Sequence, residues 1–152
     1  MTARVPYVRA DPVFARVEAM GRPVLNLYRA LANQPAALDA FLDMSRYVRS
    51  GSGLDADLRE AVILAAAQVL GSEYEVAHHS VGVDLDALDE RGRCAVEYAR
   101  SAARTRTCDD TLFERLKEHF STAEIVDLVV TVAWYHLCAV ILSSLQVELE
   151  TG

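Results

Sequence analysis

Basic residues are in the minority. The chain has 15 Lys and Arg against 22 Asp and Glu, a net charge of −7, and no segment builds the cationic stripe that a phosphate backbone requires. Nucleic acid is therefore excluded as an expected partner, and an anionic membrane surface is disfavoured for the same reason. Cysteine is also scarce. Cys94, Cys108 and Cys138 are too few and too scattered for a disulfide framework, and none belongs to a CxxC pair. No alternating apolar–polar run persists, which removes strands from the expected fold. Internal repeats, low-complexity runs and long linkers are absent as well. The first ten residues lack the apolar core of a leader peptide, so a reducing cytoplasm is the expected location.

What remains is helix signal. The 152 residues suit a single domain, 1–152, able to bury a core without a disulfide or metal staple. Asp11-Pro12 reads as the cap and first position of a helix ending near Gly21. Pro23 and Pro35 open a second and a third. Asp55 or Asp57 caps a fourth, which runs to Leu70 and is stopped by Gly71. Ser72 starts a fifth that ends near Gly82, and Asp89 to Ala103 forms a sixth. Asp109 or Asp110 caps a seventh. Ser121-Thr122-Ala123-Glu124 is a capping box for a long eighth. Gly51-Ser52-Gly53 is the one flexible punctuation. The sum is an all-α bundle with short connections and roughly antiparallel neighbours.

The eighth helix is the most apolar. Leu128 to Leu145 carries no formal charge, yet Trp134, Tyr135 and His136 sit at its middle, and its flanks are acidic (Glu124, Asp127, Glu148, Glu150). This favours a soluble helix buried on most sides over a membrane span. A helix so apolar all round also calls for subunit contacts, so a solution mass above the 16.7 kDa of one chain is expected.

Chemistry concentrates between residues 54 and 83. Glu60 has Ile63, Leu64 and Ala67 as helical neighbours. Desolvation on such a face would raise its pKa toward a range useful for proton transfer. Glu75 and His79 stand four apart, so they share a face, and a carboxylate beside an imidazole tunes its basicity. The tight join at Gly71 can set Glu60 across from that pair. Blander readings compete: Glu60 as a dipole-favoured acid near a cap, and Ser72-Glu73-Tyr74-Glu75 as a capping box in which Glu75 merely satisfies the Ser72 backbone. His78 and His79 must point in different directions. Tyr135 and His136 either pack in the core or line the pocket wall. No HExxH occurs and the remaining His/Glu spacing is weak, so no metal is expected.

The run LREAVILAAAQVLGSEYEVAHH, Leu58 to His79, resembles the signature of the carboxymuconolactone decarboxylase/alkylhydroperoxidase D-like family, and Asn26 to Pro35 is similar to the family's lead-in helix. In redox members a glutamate is followed twelve residues on by CxxC, then by a histidine four beyond the second cysteine. Here the glutamate and histidine match Glu60 and His79, while Ser72 and Glu75 occupy the cysteine positions. The resemblance implies a helical bundle, assembled as a trimer or hexamer, with a small-molecule site near a subunit interface. Serine and glutamate cannot attack or resolve a peroxide. The resemblance then implies the decarboxylase branch: cofactor-free proton transfer on a small organic acid or lactone. His79, Glu60 and Glu75 would be catalytic, with Ser72, Tyr74, His78, Tyr135 and His136 around the substrate and the amino end of the fifth helix holding a carboxylate. A thiol peroxidase and a non-catalytic oligomeric binding protein are the alternatives.

Overall fold

A computed structural model describes residues 2–151. Among these residues the chain forms α1 (Asp11–Ala19), α2 (Asn26–Leu31), α3 (Pro35–Arg46), a π-helical turn (Tyr47–Gly51), α4 (Ala56–Leu70), α5 (Glu73–His79), α6 (Glu90–Thr105), α7 (Asp110–His119) and α8 (Thr122–Leu145), with no strand. The all-α reading holds. The helices fall into two compact units, Met1–Tyr47 with Ile141–Gly152, and Val48–Val140.

In the first unit, α3 packs on α1 and α2. Pro35 takes the first turn of α3, where its missing N–H costs nothing. Two expectations shift here. Ala10, not Asp11, is the N-cap of α1, and Asp11 pairs instead with Arg9. Helix α2 begins at Asn26, after an extended Leu25, rather than at Pro23. A sequence-distant tie fixes that start: the Asn26 backbone N–H donates to Glu150 at 2.6 Å, and its side-chain amide donates to the Glu148 carbonyl at 3.0 Å.

The second unit is built on local caps. Asp55, Asp89 and Asp109 each accept from a backbone N–H three residues on, at 3.0, 2.7 and 2.8 Å, which relieves an orphan donor of each first turn. Ser121 and Glu124 form the reciprocal capping box of α8. Gly71 ends α4 in the left-handed conformation at φ 66°, with the Ser72 N–H closing onto the Ala67 carbonyl at 3.0 Å.

Helices α4 and α6 make the most extensive pairing. Ala61, Ala65 and Ala66 on one, and Ala95, Ala99 and Ala102 on the other, are all buried in the same core. Small side chains let such helices approach closely. Leu112 and Leu116 of α7 and Leu128 and Val132 of α8 complete that core. Arg91 of α6 then ties the helix starts together. Its guanidinium reaches Asp55 at 3.0 Å and Glu124 at 2.8 Å while lying 4.5 Å over the Phe120 ring. The Gly51-Ser52-Gly53 segment is not loose punctuation. Gly51 ends the π-helical turn, and the Gly53 N–H donates to Asp127 of α8 at 2.8 Å.

By length and composition α8 is apolar enough to cross a membrane, with a mean hydropathy of 2.1, but half of that stretch is buried inside the protein.

Candidate active site

Three helices of the second unit converge on His79. The ring is buried, and its side chain is only 4 % exposed. On one side its Nδ1–H donates to Glu60 Oε2 at 2.6 Å. On the other, Nε2 lies 3.2 Å from the Tyr135 hydroxyl and 3.4 Å from Glu75 Oε2. The Tyr135 ring meets the imidazole edge to face, at 5.2 Å between centroids.

Each placement follows from local sequence. The left-handed turn at Gly71 folds α5 back against α4, which carries residue 79 to residue 60. The i, i+4 spacing puts Glu75 and His79 on one face of α5. The arginine bridge between α4, α6 and α8 fixes the helix that delivers Tyr135.

The two ring nitrogens are not equivalent. The Nδ1 bond is short, as expected when ionised partners share a proton. Nε2 has two longer, competing neighbours, so it is the side from which a proton is more readily exchanged.

The ionisation differs from the sequence expectation in one respect. Burial pushes the Glu60 carboxyl up, but the hydrogen bond with His79 and the charges of His79, Arg49 and Arg59 outweigh it and leave the group below the usual carboxylate range. Glu60 keeps a side chain 29 % exposed, so its desolvation is incomplete, and the expected rise does not occur. It is a carboxylate partner rather than a neutral acid. For His79, burial pulls the imidazole down, yet hydrogen bonds to Glu60 and Glu75 and their charges prevail and raise it above 6.5. Burial, with a smaller contribution from the Glu75 charge, drives the Tyr135 hydroxyl well above its ordinary value, so it stays a neutral donor and acceptor.

Arg49, in the π-helical turn, gave no sequence signal. Its charge favours both the Glu60 carboxylate and the Tyr135 phenolate.

The other candidates separate. Ser72 makes no side-chain cap bond. Its N–H is taken by Ala67, and Glu75 faces His79, so the capping-box alternative for that stretch fails. Helix α5 stops at His79 rather than near Gly82, and its seven residues give it little dipole. His78 turns outward: it donates to the Tyr74 carbonyl at 2.8 Å and stacks on the Tyr74 ring at 4.5 Å. His136 is not brought to His79. Its Nε2–H donates to the Ala102 carbonyl at 3.1 Å, and it lines a separate cavity of about 250 Å³ with Tyr98, Ala102 and Val129. Among the described residues no cluster of three or more His, Cys, Asp or Glu is set to hold a metal ion. The cysteines stand outside the site's hydrogen bonds, and burial first of all pushes each thiol up.

The family model described as the Carboxymuconolactone decarboxylase family matches residues 35–107. The match covers a little under half of the chain and agrees with the likeness carried by Leu58 to His79. The matched segment holds Glu60, Glu75 and His79, while Tyr135 lies beyond it. No curated protein matches the sequence. Solved structures share the fold. An uncharacterized peroxidase-related protein from Silicibacter sp. TM1040 superposes with a TM-score of 0.83 at 19% identity, covering 98% of this chain and 92% of that one. A complex of a cysteine-to-alanine variant of the debrominase Bmp8 with 2,3,4-tribromopyrrole gives 0.83 at 16% identity, covering 99% and 93%. A protein of unknown function from Agrobacterium tumefaciens, described as a putative antioxidant defence protein AhpD, gives 0.70 at 21% identity, covering 80% and 96%. The fold of this chain is thus the alkylhydroperoxidase D-like helical bundle.

Proposed function

We propose that this protein is a member of the carboxymuconolactone decarboxylase family and a cofactor-independent acid–base enzyme, a decarboxylase-like lyase or an isomerase acting on a small organic acid or lactone. The observation that carries the reading is the 2.6 Å contact between Glu60 and His79, with the second ring nitrogen turned toward Tyr135 and Glu75.

His79 is the proton carrier. Glu60 holds Nδ1–H, which fixes the tautomer and the ring plane and leaves Nε2 as the exchanging atom. For decarboxylation, the bond between the substrate carboxylate and its neighbouring carbon breaks, and carbon dioxide leaves. The electron pair passes into the adjacent carbonyl system, and Nε2–H then protonates the carbon. For isomerisation, neutral Nε2 removes a proton beside the carbonyl and returns it at another carbon. The raised pKa of His79 favours the protonated form that the first route needs. Because the ring is buried, a substrate reaches Nε2 by displacing the Tyr135 hydroxyl from it. Glu75 and Tyr135 position the ring, while Ser72 and Tyr74 stand on the same short helix-and-turn segment.

A thiol-dependent peroxidase has less support: Ser72 and Glu75 stand where that chemistry would need cysteines, and the thiols present are disfavoured as thiolates.

The test is carbon dioxide release from carboxymuconolactone and a panel of small keto acids, run with a chelator present. The expected result is turnover that falls by about 10² or more in His79→Ala and Glu60→Gln, the scale of lost general acid–base catalysis, with circular dichroism unchanged. Wild-type rates in either variant would overturn the roles. Hydroperoxide reduction that disappears when Cys94, Cys108 and Cys138 are all replaced by serine would favour the thiol reading instead. Ligand binding without turnover of any panel member would leave a binding protein.

A further inference from the structure

Helices α4 and α6 end on the same left-handed backbone, with φ 66° at Gly71 and at Arg106. Glycine takes that conformation without strain, whereas an arginine there brings its Cβ too close to the following carbonyl. Stopping α6 does not call for an arginine. The stop is made by the Arg106 backbone N–H, which donates to the Ala102 carbonyl at 2.8 Å. What the arginine adds is a guanidinium, which forms no ion pair among the described residues and lines the hollow of about 250 Å³ between α6 and α8. Tyr98, Ala102 and Val132 are the buried walls of that hollow. Tyr98 is only 6 % exposed, yet its hydroxyl takes part in no hydrogen bond among the described residues. Buried tyrosine hydroxyls ordinarily find a partner.

We propose that this hollow is a binding site, apart from the His79 site, for a small apolar monocarboxylate. The hydrocarbon body rests on Ala102, Val129 and Val132. The carboxylate pairs with the Arg106 guanidinium, whose planar fork suits it, and accepts the Tyr98 O–H. Burial pushes the Tyr98 hydroxyl up to about 12, so it is present as the donor. The closing end of α6 does not stand as a bare negative pole against the anion. Its Ala102 carbonyl already accepts from the Arg106 N–H at 2.8 Å and from His136 Nε2–H at 3.1 Å.

Size and charge select the ligand. A cavity of about 150 Å³ takes up benzene, so about 250 Å³ holds a six-membered ring with its carboxylate. A di- or triphosphate would set several charges against a single guanidinium, on a chain whose net charge is −7. Arg106 is also held in place before any ligand arrives. In the turn around it the Thr107 carbonyl accepts from Ser101 Oγ at 2.9 Å and from Thr105 Oγ1 at 3.0 Å, so little ordering remains to oppose binding. Tyr135 faces α5 and His136 faces α6, and the proposal stands independently of what the His79 site turns over.

The experiment is an NMR titration of the full chain with benzoate and cyclohexanecarboxylate, with benzamide and acetate as controls. The two ring acids should shift the Ala102, Arg106 and Val129 amides and saturate at millimolar concentration. Benzamide lacks the charge and acetate lacks the body, so each should bind roughly tenfold or more weakly. Arg106→Gln, with circular dichroism unchanged, should weaken the ring acids about tenfold, and Tyr98→Phe roughly threefold or more. Arg106→Gly should lose the same affinity and melt at a higher temperature than wild type, because the strain goes while the helix stop remains. His79→Ala should leave the shifts at these three amides as in wild type. Any one of five results would overturn the proposal: no saturable shift at these amides with either ring acid; benzamide binding as tightly as benzoate; unaltered affinity in Arg106→Gln; an Arg106→Gly variant that melts lower; or shifts that vanish in His79→Ala, which would put the acid in the His79 site.

Discussion

The two faces of α8 divide labour in an unusual way. The inner face carries Asp127, Thr131 and Tyr135 beside Leu128 and Val132, all nearly inaccessible. Between Ile125 and Val140 the exposed positions carry only Val, Ala and Leu. Polar groups go inside a protein only at a cost unless something there binds them. Asp127 binds the Gly53 N–H and Tyr135 reaches His79. Two of these three inner polar groups therefore have identifiable partners, one that fixes a loop and one in the candidate site, whereas the buried Thr131 hydroxyl makes no hydrogen bond. The outer apolarity has no partner in the chain. The difference teaches that hydropathy along this helix reports two separate demands: a built site on one side and an unmet surface on the other.

Substitutions on each face sharpen the contrast. The largest stability effect belongs to the inner apolar positions. Leu128→Ala, at a position with no exposure, should cost about 2–5 kcal/mol in urea unfolding. Val126→Ala, measured at concentrations too low for self-association, should stay within about 0.5 kcal/mol. Equal losses at the two positions would erase the distinction between the faces. Next comes Asp127→Ala. It strands the Gly53 N–H and should cost about 1–3 kcal/mol, with hydrogen exchange at residue 53 accelerating more than at residue 62; uniform exchange would mean that the tie is unimportant. A smaller effect is expected from Arg91→Ala. Its partners are partly solvated, so about 1 kcal/mol is the scale once screening is allowed for. Melting temperature is the readout, and an unchanged value would show that the bridge only decorates the surface.

The site adds a dependence on pH. The folded pKa of His79 is raised above 6.5, so its contribution to stability is complete below 6.5 and is lost as pH rises through the folded value. The folded pKa of Glu60 is lowered below 4.5, so its contribution is complete above 4.5 and is lost as pH falls through the folded value. The stabilisation from the pair should peak between 4.5 and 6.5. Glu60→Gln should flatten that peak in a pH series of urea midpoints, and an unaltered profile would show that the two groups do not share charge.

Much of this was legible in the sequence wherever the controlling contact is local. Asp55, Asp89, Asp109 and the Ser121–Glu124 box cap their helices through residues three apart, and Gly71 stops α4 by its own backbone freedom. Glu60 and His79 meet because only a tight turn separates their helices. The rest depended on partners distant in sequence. The start of α2 is set by Glu148 and Glu150, more than a hundred residues away. The ionisation of Glu60 depends on Arg49 and on exposure that no spacing encodes. His136 faces α6 rather than His79, because one residue along a helix from Tyr135 is about a quarter-turn of rotation. An all-round apolar reading of α8 likewise could not say which positions the remaining helices leave uncovered.

The most direct test of the central claim is an NMR titration of the His79 ring in the wild type and in Glu60→Gln. The account predicts a midpoint above 6.5 for the wild type and a lower midpoint once the carboxylate is gone. A wild-type midpoint at or below 6.5, unmoved by the substitution, would contradict it.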